Sequence, residues 1–291
     1  MDNLNTKHIL SENFQNLTEL ALKEKQNYKS AKPFPNIALN NFFNNAFLNK
    51  VLDEFPDLSK LNDSENYNVK NEIKFSNKNY KKFSPTIKSF VDFLNSDIFI
   101  NFLQNLTSIK EKLVADPLLE GGGLHEIKSG GVLKIHTDFN RHPSLDLDRR
   151  INVLIYLNKN WKENYGGYLE FWNKNMSKCE KKILPSFNTL AIFSTTDFSN
   201  HGHPQQLSCP ADISRKSLAL YYFSSGRPKS EVLNIHKKNT TLFKSRKGIK
   251  NDAYEKKEYF KNFIRKFKLY QLLKNFEKKY IRRNKTDLKN K

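Results

Sequence analysis

The sequence predicts an α+β chain in which helices come first and an antiparallel sandwich or barrel follows. Three observations predict it. Apolar residues recur at helical spacing as far as about residue 115. Beyond the glycine run LLEGGG (118–123) the apolar period shortens to two, the spacing of half-buried strands. Several short strand-like segments then follow one another with turn residues between them, and no sustained internal repeat relates them.

Residues 7–29 read as a polar helix stopped before KPFP. In 41–55 (NFFNNAFLNKVLDEF), Phe42, Phe43, Phe47, Val51, Leu52 and Phe55 mark one face of a second helix. From Pro85 to Ala115 the helical pattern breaks near Asn95–Asp97 and again near Asn105–Ser108, which predicts two or three helices. LHEIK (124–128), the turn SGG and VLKIHTD (132–138) read as a hairpin, followed by a polar loop, FNRHPSLDLDRR. The remaining strands are INVLIYLN (151–158), YLEFW (168–172), KKIL (181–184), TLAIFST (189–195) and SLALYYFSS (217–225). The expected organisation is a helical buttress over 1–118, a β domain over 119–228 and a basic tail over 229–291.

A chain of 291 residues with 23 Phe and 12 Tyr can bury a real core, which excludes a disordered chain. No apolar run reaches the ~18 residues of a membrane span. The N-terminal MDNLNTKHILSENF is polar and lacks the apolar region of a signal peptide, so a soluble, cytoplasmic protein is expected. Cys179 and Cys209 form no CxxC pair and are too few for a disulfide framework, which suits a reducing compartment.

Charge is uneven. Residues 229–291 hold 21 Lys/Arg against 6 Asp/Glu and so carry +15 of the net +20. Within them Phe260, Phe263, Phe267, Tyr270, Leu273 and Tyr280 recur every three, four or seven positions, which predicts an amphipathic basic helix. Its apolar stripe could pack on the domain or on another protomer. Its charge could meet an anionic membrane surface or a nucleic acid, although no nucleic-acid reader motif accompanies it.

The chemistry centres on KIHTDFN (134–140). In a strand, His136 and Asp138 point to the same side. About sixty residues later DFSNHGHP offers His201 and His203 at a strand end. Two histidines and one carboxylate from separate strands can occupy one face of a metal and leave the other face open, the arrangement that suits a non-heme Fe(II) centre activating O2. Arg215 then opens the next strand, where its fork would match the far carboxylate of a dianionic cosubstrate. P-loop, GxGxxG, GxSxG and HExxH patterns are absent, since His125-Glu126 lacks the second histidine.

The order of these parts resembles the Fe(II)/2-oxoglutarate-dependent dioxygenases, in particular their prolyl-hydroxylase-like branch. The matching pieces are HTD (136–138), IYLNKNW (155–161), GGYLEF (166–171), LPSFNTLAIF (184–193), SNHGHP (199–204) and RKSLALYYF (215–223). The resemblance implies a double-stranded β-helix, or jelly roll, within the α+β chain. It implies iron held by His136, Asp138 and His201, with His201 favoured over His203 because the family's histidine precedes a short turn leading to a proline. It implies that Arg215 and Tyr156 bind the 5-carboxylate of 2-oxoglutarate, with Ser217 as a third contact.

The tyrosine that many prolyl hydroxylases carry before HxD is absent. His125 stands near its place, either on the rim or near the cosubstrate's C1 end. The reaction so implied consumes O2 and 2-oxoglutarate, releases succinate and CO2, hydroxylates an unactivated C–H bond and calls for ascorbate in vitro. The substrate would be a prolyl or other peptidyl side chain, with a small molecule also open. Two rivals compete: a zinc hydrolase or binding protein on the same scaffold, which leaves Arg215 and Tyr156 unexplained, and a non-enzymatic binder acting through the basic tail.

Overall fold

The computed structural model describes residues 8–232, 238–249 and 252. By its contacts the chain divides into two units, Met1–Lys247 and Gly248–Lys291, and the fold is that of the first. The amphipathic helix expected beyond residue 251 lies outside the described residues, and so does its expected anionic partner surface.

Among the described residues four α-helices precede the β domain: α1 (Leu17–Ser30), α2 (Asn45–Asp53), α3 (Pro85–Leu94) and α4 (Asp97–Thr107). Local chemistry sets their ends. The Asn44 side chain accepts from the backbone N–H groups of Ala46 and Phe47, and Ser84 caps Ile87 with Pro85 at the first helical position. The breaks near 95–97 and 105–108 fall where the sequence places them; Ser108 ends α4 in the left-handed conformation.

Thirteen strands form one connected antiparallel network. They are β1 (Asn36–Asn40), β2 (Glu65–Val69), β3 (Glu72–Asn77), β4 (Leu113–Ala115), β5 (Gly123–Lys128), β6 (Val132–Thr137), β7 (Asp148–Tyr156), β8 (Leu169–Trp172), β9 (Cys179–Ile183), β10 (Thr189–Ser194), β11 (Asn200–His203), β12 (Ser214–Ser224) and β13 (Leu242–Phe243). Their order is β1-β10-β7-β12-β5-β3-β6-β11-β8-β9, with β2 on β3, β4 on β12 and β13 on β6. One sheet runs from β1 to β5 and the other from β6 to β9, and they face each other as a jelly roll.

Strand alternation divides the first sheet's side chains. Ile151, Val153 and Ile155 of β7, with Leu218, Leu220 and Tyr222 of β12, join one core with Phe43, Phe90, Phe99 and Phe102 from the helical side. Asn152, Leu154 and Tyr156, with Ser217 and Tyr221, turn the other way and line an internal cavity. The helices therefore seal the back of the sheet whose front carries chemistry.

Three expectations are corrected. The region over 1–118 is not helical throughout: β1 borders β10, and β2–β3 form a hairpin in the network. EIKFSN alternates like a strand and NIALN is a short apolar run, and pairing to the domain's sheet supplies the hydrogen bonds that the short segments cannot supply alone. Secondly, LHEIK and VLKIHTD leave their turn into different sheets, because β3 pairs with both β5 and β6. Gly131 permits this: a Cβ there would lie 2.4 Å from an Ile127 methyl carbon and 2.9 Å from the Ile73 carbonyl oxygen. Thirdly, the network crosses both expected boundaries, since β1–β4 precede residue 119 and β13 follows residue 228.

Candidate active site

His136 comes from β6, Asp138 from just beyond its end, and His201 from β11, which pairs with β6 so that His201 stands opposite His136. Close approach of the two backbones makes this register possible. A Cβ on Gly202 would lie 2.6 Å from the Lys134 carbonyl oxygen, so only glycine fits between the two late histidines. Ligating atoms of His136, Asp138 and His201 all lie within 4.8 Å of one another. The Nε2 atoms of His136 and His201 are 3.5 and 3.4 Å from the two Asp138 carboxylate oxygens. His203, the alternative ligand, is not part of this group.

Each of the three is held by a further group. His136 Nδ1 donates to the Lys134 carbonyl at 2.8 Å and His201 Nδ1 to the Ser199 carbonyl at 2.9 Å. Because carbonyls only accept, both Nδ1 atoms carry a proton, and the Nε2 atoms are the ones turned toward Asp138 and available to a metal. Asp138 Oδ2 accepts from Asn152 Nδ2 at 2.8 Å and lies 3.1 Å from Arg149 Nη2. Arg149 in turn donates from Nε and Nη2 to Asn152 Oδ1 at 2.9 and 2.8 Å. Its guanidinium stacks 3.4 Å from the Tyr221 ring centre and 4.4 Å from that of Phe139.

Burial alone would raise the Asp138 pKa, but the Arg149 guanidinium and the two imidazoles hold it well below the usual carboxylate value. Burial lowers His201 to about 4, against the opposing pull of Asp138. The donor set therefore stands as a carboxylate and an imidazole ready to ligate without first losing protons. Two nitrogens and one oxygen on one side of a point fit a borderline divalent ion such as Fe(II).

The cavity runs from this group to Arg215 and has a volume of about 210 Å³. Arg215 is 6 % exposed; its Nε donates to the Gly167 carbonyl at 2.9 Å and its Nη2 to the Tyr156 hydroxyl at 3.2 Å. Gly167, at φ +71°, is needed for that contact, since a Cβ would come 3.0 Å from Arg215 Cδ. Ser217 stands between Tyr156 and His125 in the register of β7, β12 and β5. At the other side of the cavity Lys74 pairs with Glu72 at 3.0 Å and lies 5.0 Å from the Tyr67 ring centre.

All six site residues expected from the sequence thus line one cavity. Arg149, Asn152 and Tyr221 were not anticipated. Asn152 carried a signal: it is the only polar residue of INVLI and shares a strand face with Tyr156. Arg149 carried none, because it lies in what reads as a polar loop.

A jelly roll with a His/Asp/His group at one end of a cavity and a buried arginine at the other defines a class of metal-dependent oxygenase. The chain matches the model of the 2OG-Fe(II) oxygenase superfamily over residues 122–223. It is an enzyme, a dioxygenase dependent on Fe(II), 2-oxoglutarate and O2. Among solved structures it is similar to a Trichoplax adhaerens prolyl hydroxylase in complex with a hypoxia inducible factor oxygen degradation domain peptide fragment. That match has 20 % identity over 73 % of this chain and 92 % of that chain, with a TM-score of 0.53. A Phytophthora capsici prolyl 4-hydroxylase matches at 16 % identity over 75 % of this chain and 68 % of that chain, TM-score 0.52. A Pseudomonas putida prolyl-4-hydroxylase matches at 13 % identity over 73 % of this chain and 100 % of that chain, TM-score 0.51. At such identities the likeness is one of fold. Among the described residues no helix is long and apolar enough to cross a membrane.

Proposed function

We propose that His136, Asp138 and His201 hold the Fe(II), that Arg215, Tyr156 and Ser217 receive the distal carboxylate of 2-oxoglutarate, and that the enzyme hydroxylates a C–H bond of a prolyl or other peptidyl side chain. One observation carries the assignment: three ligating atoms within 4.8 Å of one another share a cavity with a buried arginine.

When bound, iron and 2-oxoglutarate supply the chemistry, an oxidative decarboxylation to succinate and CO2 that leaves one oxygen atom of O2 for the substrate. The chain supplies placement. Lys134 and Ser199 carbonyls fix both imidazoles with Nε2 inward, and Arg149 with Asn152 holds one carboxylate oxygen of Asp138. Tyr156 accepts from Arg215, so its own proton is free to donate to the cosubstrate. Arg215 and Tyr156 also argue against a zinc hydrolase, which has no use for a buried carboxylate-binding fork.

The peptidyl substrate is supported by the Trichoplax adhaerens neighbour, which was solved with a peptide. A cytoplasmic setting is supported by the free cysteines Cys179 and Cys209. The test is to supply the purified full chain with Fe(II), ascorbate and 2-oxoglutarate, then to screen proline-containing peptides, other peptides and small metabolites for the gain of one oxygen atom. Succinate release with a peptide gaining one oxygen is the expected result. Oxygen gained only by a small molecule overturns the substrate class, and no 2-oxoglutarate consumption overturns the site.

A further inference from the structure

Two imidazoles face the cavity beyond the three proposed iron ligands. His203 is 3 % exposed, and apart from the nearby Gln205 backbone neither of its ring nitrogens has a hydrogen-bond partner. His125 presents a buried Nε2 that is likewise unpartnered. Leaving such atoms unpaired indoors costs folding free energy, so a ligand filling the cavity is their natural partner.

Their positions say which part of that ligand they meet. Ser217 is the register partner of Tyr156 on one side and of His125 on the other, so the three side chains form one row across β7, β12 and β5. Arg215 lies two positions before Ser217 on the same strand, opposite Ile127, two positions after His125. His203 approaches from the other sheet, two residues beyond His201, and lines the cavity with Arg215. Tyr156, Ser217 and Arg215 offer this end hydrogen-bond donors and a fixed positive charge, which suits an anionic acceptor. A carboxylate offers about four lone-pair sites, more than one arginine fork and one tyrosyl hydroxyl fill.

We infer that His125 and His203 are additional cosubstrate-binding residues, which donate to the distal carboxylate of 2-oxoglutarate and sharpen the preference for a dicarboxylic over a monocarboxylic 2-oxo acid. Neutral or charged, an imidazole keeps at least one N–H for this purpose. The inference rests on the cosubstrate reading of the cavity and deepens it.

The test uses the full chain loaded with Mn(II) without oxygen, titrated calorimetrically with 2-oxoglutarate and with 2-oxopentanoate, which lacks the distal carboxylate. His125→Phe and His203→Phe should each weaken 2-oxoglutarate binding about tenfold or more, the loss of a hydrogen bond to a charged group. Binding of 2-oxopentanoate and of Mn(II) should stay as in the parent chain. His203→Gln, which restores a donor and guards against a misfolded Phe variant, should recover part of the loss. Parental 2-oxoglutarate affinity in either Phe variant, or equal losses for both acids, overturns the inference. Arg215→Leu separates the two levels. If it abolishes the preference for 2-oxoglutarate while the Phe variants do not, the histidine roles fall and the cosubstrate site stands. If the parent chain shows no preference, the cosubstrate site falls too.

Discussion

At the iron end of the cavity, His136, His201 and Asp138 are each held by a second group. At the Arg215 end, two imidazoles keep buried nitrogens with no partner. The contrast separates two ways of making a binding site. Where ligands must meet an ion at fixed angles, the chain spends hydrogen bonds in advance, so that little rearranges on binding. Where the guest is a flexible dianion with several acceptor oxygens, donors can be left open and satisfied by the guest itself. Binding at that end should therefore add more order and stability than binding at the iron end.

The hardest blow to the comparison comes from the iron end. Asp138→Ala should reduce succinate release without substrate to background, because the only carboxylate of the ligand group is gone. The fold should survive, since Arg149 would still bond Asn152 and stack on Phe139 and Tyr221. Circular dichroism and succinate assays on the same sample check both halves, and turnover near that of the parent chain would remove Asp138 from the site.

At the opposite end, Arg215→Leu should raise the 2-oxoglutarate concentration needed for half-maximal turnover. Losing one partner of a buried, hydrogen-bonded charge pair costs ~2–5 kcal/mol, or roughly 30-fold to a few thousand-fold. Iron affinity should change little, because Arg215 bonds Gly167 and Tyr156 rather than any of the three ligating residues. Metal titration beside a saturation curve separates the effects. A large loss of iron affinity would mean that the two ends are not independent.

Arg149→Met tests whether preparation of the iron end matters. The substitution keeps an apolar stem between Phe139 and Tyr221 but removes the guanidinium 3.1 Å from Asp138. Groups that hold metal ligands commonly contribute 10–100-fold in affinity, and a loss of about that size in Mn(II) binding is expected. An unchanged Mn(II) isotherm would show that Asn152 alone suffices.

The sequence made the iron end more legible than its surroundings. His136 and Asp138 could be found because they lie on a segment that alternates, which says that they share a face, and His201 and Arg215 because they stand at the ends of strand-like segments in the right order. Family likeness supplied the proposed roles of Tyr156 and Ser217. What escaped depends on contacts distant in the chain. EIKFSN is too short to be recognised as a strand until β5 and β6 are there to pair with it. Arg149 reads as part of a charged loop, and only the closed jelly roll brings it to Asp138 and between two aromatic rings. The segment after residue 228 reads as a basic tail because its charge drowns the two-residue strand within it.

That strand offers the smallest and most local test. In β13, Phe243 is the register partner of His136, and its ring centre lies 5.6 Å from the imidazole's. The Lys244 N–H also donates to the Ile135 carbonyl at 2.7 Å, so the backbone pairing does not depend on the ring. Phe243→Ala should therefore leave the strand in place and remove only the ring contact, worth ~0.5–1.5 kcal/mol, or about two- to tenfold. The whole of that loss should appear in metal affinity, because the ring touches an iron ligand and not Arg215's end. A Mn(II) titration showing the expected weakening, beside an unaltered preference for 2-oxoglutarate over 2-oxopentanoate, would make β13 part of the iron site. A shift in that preference instead would mean that strain at His136 is transmitted along the cavity, and the two ends would have to be treated as one.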